Sequence, residues 1–214
     1  NRIDRLYNDS WQDALHTGRY HGIIGSKRIK HLAGTYDVVG INYYTRFYLR
    51  FPPPPGFVDR EWGPAAIVSD GHYGEIYPRG LFIMLNRAWK KYGKPIYVTE
   101  NGLPDAVDRI RPGFLLSHLQ QIWYAVNFCY PVMGYYHWSL VDNLEWDRGW
   151  TQKFGLIEVD PITQERSWRP SAYLYQEICR SYSINDDMAK RYAPEMLPVM
   201  WPGTEPTSSE LPVR

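Results

Sequence analysis

Apolar residues recur along this chain in alternating helical and strand-like blocks. From Asn1 to Gly34, Ile3, Leu6, Tyr7, Trp11 and Leu15 repeat at helical spacing, which predicts a glycine-capped helix leading into a strand. "YDVVGINYY" (36–44) has the β-branched, apolar middle of a strand and is followed by a long loop containing "PPPPG" (52–56), whose prolines favour an extended, stiff backbone. Leu81, Leu85, Ala88 and Trp89 share one face of a helix predicted over 78–92, stopped by Gly93 to Pro95. "IYVTENG" (96–102) reads as a buried strand, and after a loop over 103–112, Leu115, Leu119, Ile122 and Val126 stripe a helix over 113–129. A third strand, "VMGYYHWSL" (132–140), precedes a last helix over 170–181 that opens on a proline. Three βα repeats imply a parallel sheet covered by helices, because parallel strands need crossover connections.

Three strands cannot close a barrel, and an open three-stranded sheet leaves edges that something must cover, so the α/β unit is expected to be incomplete on its own. Residues 1–182 form that unit. Residues 183–214 are rich in Pro and Ser and predict an extension lying on the surface or partly disordered, while the mixed charges of "NDDMAKR" (185–191) read as a solvated helix face.

Composition narrows the function classes. With 214 residues, 44% of them hydrophobic, the chain is a globular protein, and 24 basic against 23 acidic residues leave no footprint for nucleic acid or an anionic membrane. No apolar run is long enough for a bilayer span and the N-terminus lacks a secretory pattern, although a start at Asn1 leaves open the removal of something upstream. Cys129 and Cys179 are neither spaced for a metal nor dense enough for a disulfide scaffold; buried free thiols in a reducing, cytoplasmic compartment are expected, with no metal and no cofactor. Aromatic residues are 16% of the chain, including 9 Trp and 18 Tyr, and rings with a polar handle suit sugar-binding clefts as well as cores.

Each predicted strand ends in polar or aromatic residues: Asn42, Tyr43 and Tyr44; Glu100 and Asn101; His137 and Trp138. The carboxyl ends of parallel strands face the ligand site, so these groups converge on one cleft. Glu100 there suits nucleophilic or acid–base work; the alternative is a strand-ending carboxylate bonded to a helix terminus or an arginine. His137 falls opposite Trp138 by strand alternation and should pack against the helices, and His118 falls off the apolar stripe, in a surface or capping position. Asp142 and Asn143 are expected to bond their own loop backbone. Asp147 and Arg148 could pair locally or line the cleft.

"GINYY", "YVTENG" and "GYYHWSLVDNLEWDRGWTQKFGL" together resemble, in order and spacing, the motifs of glycoside hydrolase family 1, the retaining β-glycosidases that include β-glucosidases and β-galactosidases. The resemblance covers roughly the first 180 residues and implies the C-terminal part, strands six to eight, of a (β/α)8 TIM barrel. It implies that Glu100 is the catalytic nucleophile and that Tyr44 hydrogen-bonds to it, with Asn42 beside the same pocket. Trp138 would floor the sugar site, Glu145 and Trp146 would bind the hydroxyls at the sugar's far edge, and Phe154 would pack nearby. The family's acid/base glutamate lies in an Asn-Glu-Pro motif, which this chain lacks; "TEP" (204–206) has neither the Asn nor a preceding strand. The implied partners are a β-linked sugar and a complementary N-terminal half of the barrel that supplies the acid/base. Glu145 with Trp146 suits an unmodified rather than a phosphorylated sugar. A non-catalytic carbohydrate-binding or interaction module on the same scaffold is the alternative, disfavoured by the intact Glu100.

Overall fold

The computed structural model describes residues 2–22, 25–29, 31–46, 48–49, 60–61 and 66–203. In chain order they form α1 (Arg2–Asn8), α2 (Ser10–Thr17), β1 (Arg19–Gly22), β2 (Gly25–Arg28), β3 (Val39–Asn42), β4 (Tyr48–Leu49), β5 (Arg60–Glu61) and α3 (Pro78–Tyr92). Then follow β6 (Ile96–Asn101), α4 (Arg111–Asn127), β7 (Val132–His137), β8 (Ile157–Val159), β9 (Arg166–Trp168), α5 (Pro170–Ser181), α6 (Asp186–Tyr192) and α7 (Leu197–Met200). The central sheet is parallel, in the order β3-β6-β7, with α3 and α4 as its crossovers. Among the described residues no helix is long and apolar enough to cross a membrane.

The sheet has two unlike faces. Val39, Ile41, Ile96 and Val98 point into a core shared with Leu81, Leu85, Ala88 and Tyr92 of α3 and Ala125 of α4, all under 9% exposed. Burial of each such aliphatic side chain contributes about 1.5–3 kcal/mol. The other face is open. A Cβ on Gly40 would meet Thr99 and one on Gly134 would meet Tyr97, so these positions share that side, and nearby Met133 and Tyr136 are 60% and 57% exposed.

Helix α3 matches its predicted span and ends at Gly93, whose left-handed backbone (φ 59°) accepts the final turn without Cβ strain. The N-terminal expectation needs correction: the helical spacing is broken between α1 and α2, and Arg19–Gly22 and Gly25–Arg28 pair as the antiparallel strands β1 and β2 instead of continuing as helix. Arg87 and Lys91 of α3 hold α1 and α2 through Asp4, Asp9 and Asp13. Helix α4 also departs from its stripe. Arg111 to His118 are all buried, because α4 packs between α3 and α5, while Val126 near its end is 49% exposed.

The segment after Ser181 is not merely a surface extension. Met188, Ala189, Ala193 and Leu197 enter a second core with Leu115, Leu116 and Leu174, since the small and apolar residues of α6 and α7 fall on one side. The charged residues of "NDDMAKR" do face solvent, where Lys190 pairs with Asp186 and Arg191 with Glu177. The "PPPPG" loop and residues 204–214 lie outside the described residues. Cys129 and Cys179 are free but exposed, contrary to the expectation of buried thiols; both sit at or near helix ends that the cores do not cover.

Candidate active site

Strand β6 does not keep strict alternation. Val98 pairs with Ile41 and Glu100 with Asn42, so Thr99 is the extra residue of a bulge. A bulge turns the residues after it by one position, and here it re-aims Glu100. The Thr99 hydroxyl donates to Asn42 Oδ1 at 2.6 Å, and the Tyr44 hydroxyl donates to Glu100 Oε2 at 2.6 Å. Burial pushes the Tyr44 phenol well above its ordinary pKa, and the hydrogen bond to Glu100 and its charge push it further. Tyr44 is therefore a fixed donor.

The same bulge sends Asn101 to the helix-covered side, where it is fully buried. Its Nδ2 donates to the Tyr43 carbonyl at 2.6 Å, and its Oδ1 accepts from the Tyr135 hydroxyl at 2.9 Å. One amide thus ties the residue after Glu100 to the residue before Tyr44 and joins all three strands. Gly102 follows because nothing larger fits: an added Cβ would lie 1.8 Å from the Trp138 carbonyl oxygen.

Trp138 leaves the end of β7, its backbone N–H on the Asn101 carbonyl at 3.0 Å. Its indole Nε1 donates to Glu145 Oε1 at 3.1 Å, and Asn143 Nδ2 donates to the same oxygen at 2.8 Å. Glu145 lies close enough for its charge to act on Tyr44 as well. Phe154 is 1% exposed and meets Tyr44 edge-on (6.1 Å between centroids), with Tyr73 edge-on to both rings, so it packs behind the tyrosine. Trp146 is not brought into this group: it is 89% exposed in the turn 146–148. Asp147 and Arg148 share that exposed turn.

His137 does pack on the helix side, 6.2 Å from the Tyr175 ring of α5. His118, expected near the surface, is instead fully buried, stacked 3.8 Å from Phe114 with Nδ1 on the Phe114 carbonyl. Burial lowers both imidazoles to about 3, and the Arg111 charge adds to this at His137. Asp142 does more than shape its own loop: buried, it takes a two-pronged bond from Arg169 at 3.1 and 3.0 Å and accepts from Gly155 N–H at 2.8 Å. Asn143 bonds Glu145 and the Ser139 hydroxyl at 3.2 Å, besides a 3.4 Å contact with the neighbouring Leu144 carbonyl.

Sequence reasoning missed the support under the β6 loop. Asp105 accepts the backbone N–H of Ile110 and Arg111 and so caps α4, while Asp108 accepts from the Arg111 guanidinium and from Ser171 N–H and Oγ at the start of α5. The pattern Asp-x-x-Asp followed by Arg-Pro, acidic groups just ahead of a helix start, was the available signal. Among the described residues there is no group of three or more His, Cys, Asp or Glu able to hold a metal ion.

This sheet, its helical crossovers and the polar groups at the strand ends make the chain part of a TIM-barrel α/β fold. It superposes on the β-glycosidase from Pyrococcus horikoshii with a TM-score of 0.80 and 37% identity, over 89% of this chain and 45% of that one. The family model described as Glycosyl hydrolase family 1 matches residues 6–183, and the chain belongs to that family. The beta-galactosidase of Sulfolobus acidocaldarius is 41% identical over 161 residues, 71% of this chain and 33% of that protein. Beta-glucosidase A of Thermotoga maritima is 34% identical over 70% of this chain and 36% of its own length. The chain therefore spans about a third to a half of the length of these relatives.

Proposed function

We propose that this chain is the nucleophile-bearing C-terminal part, strands six to eight, of a retaining β-glycosidase, with the acid/base carboxyl supplied by polypeptide outside it. The observation that carries the reading is the 2.6 Å bond from Tyr44 to Glu100 at the mouth of a parallel sheet, beside an indole held by a second carboxylate. In the reaction, Glu100 attacks the anomeric carbon as the glycosidic C–O bond breaks, and the departing oxygen takes a proton from the external acid. Water then attacks the glycosyl ester, giving its proton to the same group, now a base, and Glu100 leaves as carboxylate. Retention by this route places the two carboxyl groups about 5 Å apart. Tyr44 holds the attacking carboxylate in one rotamer. Trp138 presents a flat apolar face to the pyranose and Glu145 accepts sugar hydroxyls, while Asn42 lines the pocket next to Glu100 and Phe154 acts through Tyr44. Trp146, next to Glu145 in the chain, brings its indole N–H to the same edge of the sugar.

The test uses this chain with the polypeptide that completes its barrel. A 2-fluoro glycoside, which forms the ester but hydrolyses slowly, should label the peptide containing Glu100, and Glu100→Ala should lower turnover of an aryl β-glycoside by on the order of 10⁴-fold or more. Label on another peptide of an active preparation, or full activity in Glu100→Ala, removes the assignment. Tight sugar binding by this chain alone, without turnover in the completed assembly, would favour a binding module.

A further inference from the structure

We infer that Asn143 is a positioning residue that sets how the distal edge of the sugar is read; the inference rests on the glycosidase reading above for its substrate, and on geometry for its mechanism. Glu145 has two carboxylate oxygens, and the protein uses them unequally. Oε1 accepts from Trp138 Nε1 at 3.1 Å and from Asn143 Nδ2 at 2.8 Å. Oε2 accepts no hydrogen bond among the described residues. A carboxylate oxygen that already holds two N–H donors has spent both lone pairs, so the sugar must bond to Oε2.

Trp138 alone could not impose this. A single donor leaves a glutamate free to rotate about its last torsion, which is broad and roughly two-fold, and so to exchange its oxygens. The Asn143 amide adds a second donor from a different direction and blocks that rotation. Its own orientation is supported in turn: the Ser139 hydroxyl donates to the Val141 carbonyl at 2.8 Å, and the Asn143 amide oxygen takes the longer arm of that forked bond at 3.2 Å. The chain Ser139–Asn143–Glu145 therefore carries the fixed end of β7 to the carboxylate. It also couples the two sugar contacts, because the indole under the ring is bonded to Oε1 of the same carboxylate whose Oε2 is left for the ring's edge. Asn143 touches no sugar itself; its effect should appear only on substrates that carry the hydroxyl Glu145 accepts.

Two measurements test this. In this chain, the Trp138 indole N–H resonance reports on its bond to Glu145 and needs no turnover. Asn143→Ala should move it toward the position of a free indole, whereas Asn143→Gln, which keeps the amide, should move it less. An unchanged resonance in Asn143→Ala overturns the inference. In the completed enzyme, Asn143→Ala should lower kcat/KM for an aryl glycoside about tenfold, the loss expected for one hydrogen bond to a charged group. The 4-deoxy and 6-deoxy glycosides, which lack distal hydroxyls, should between them show the loss shrink to about twofold. In a Glu145→Ala background the further substitution of Asn143 should cost nothing. Equal losses on all substrates, or additive losses in the double variant, would mean that Asn143 merely supports the loop. Failure of the wild-type assembly to hydrolyse any glycoside would count against the glycosidase reading, while the indole resonance decides the Asn143 geometry independently.

Discussion

The two faces of the central sheet are built from neighbouring residues of the same strands, yet they do opposite work. On the helix-covered face Val39, Ile41, Ile96 and Val98 are each less than 9% exposed and meet α3 and α4. On the open face Thr99 and Asn42 bond each other in an exposed position and Tyr136 stands 57% exposed. Hydrophobic burial is non-directional and scales with area, so the covered face supplies stability within this chain. The open face supplies hydrogen bonds and aromatic surfaces, which have value only against a ligand or another part of a barrel. The difference teaches that in this part of a barrel the apolar packing lies on the outer face, while the inner face keeps polar and aromatic side chains.

Substitutions that set one face against the other should separate them. Ile96→Ala should destabilise this chain by about 2–5 kcal/mol, as a fully buried aliphatic truncation does, whereas Tyr136→Ser should change stability by less than about 0.5 kcal/mol. Urea unfolding followed by circular dichroism distinguishes them, and equal effects would erase the contrast. Asn101→Ala removes an amide on the covered side that holds the residues next to Glu100 and Tyr44. It leaves the Tyr43 carbonyl and the Tyr135 hydroxyl without that partner and should cost about 2 kcal/mol, read from the same unfolding curves.

The covered side also sets a pH dependence of stability. His118 and His137 lie on the covered side and are lowered to about 3, so between that value and about 6.5 the unfolded chain binds more protons than the folded one. Stability is then fully present above about 6.5 and falls as the pH drops toward 3, by on the order of 1.4 kcal/mol per pH unit for each histidine. His118→Phe should flatten part of this slope in thermal melts at stepped pH; an unchanged slope would mean that His118 titrates normally.

Periodicity made the three strands, α3 and α5 legible, because each long element shows one clear apolar side. It could not show the bulge at Thr99: a one-residue slip leaves no mark on composition, although it decides which way Glu100 and Asn101 point. It could not place His118 either, since burial of both sides of α4 comes from neighbours distant in sequence. The antiparallel pair β1–β2 was hidden because "RYHG" and "GSKR" carry few alternating apolar positions. At the site, the family motifs pointed to Glu100, Tyr44, Trp138 and Glu145, and the structure puts them in two bonded pairs. The Asp105–Arg111–Asp108 support left an acidic pattern ahead of α4 in the sequence, but its value arises only when two helix starts meet.

The buried amide of Asn101 acts as a clip placed one residue beyond Glu100 on its own strand and one residue short of Tyr44 on the next. When the unpaired rims of the sheet breathe, β3 and β6 must then travel together, and the acid and its phenol ride as passengers on the same carriage. Their mutual spacing is thereby shielded from motions that would widen or narrow the surrounding cylinder.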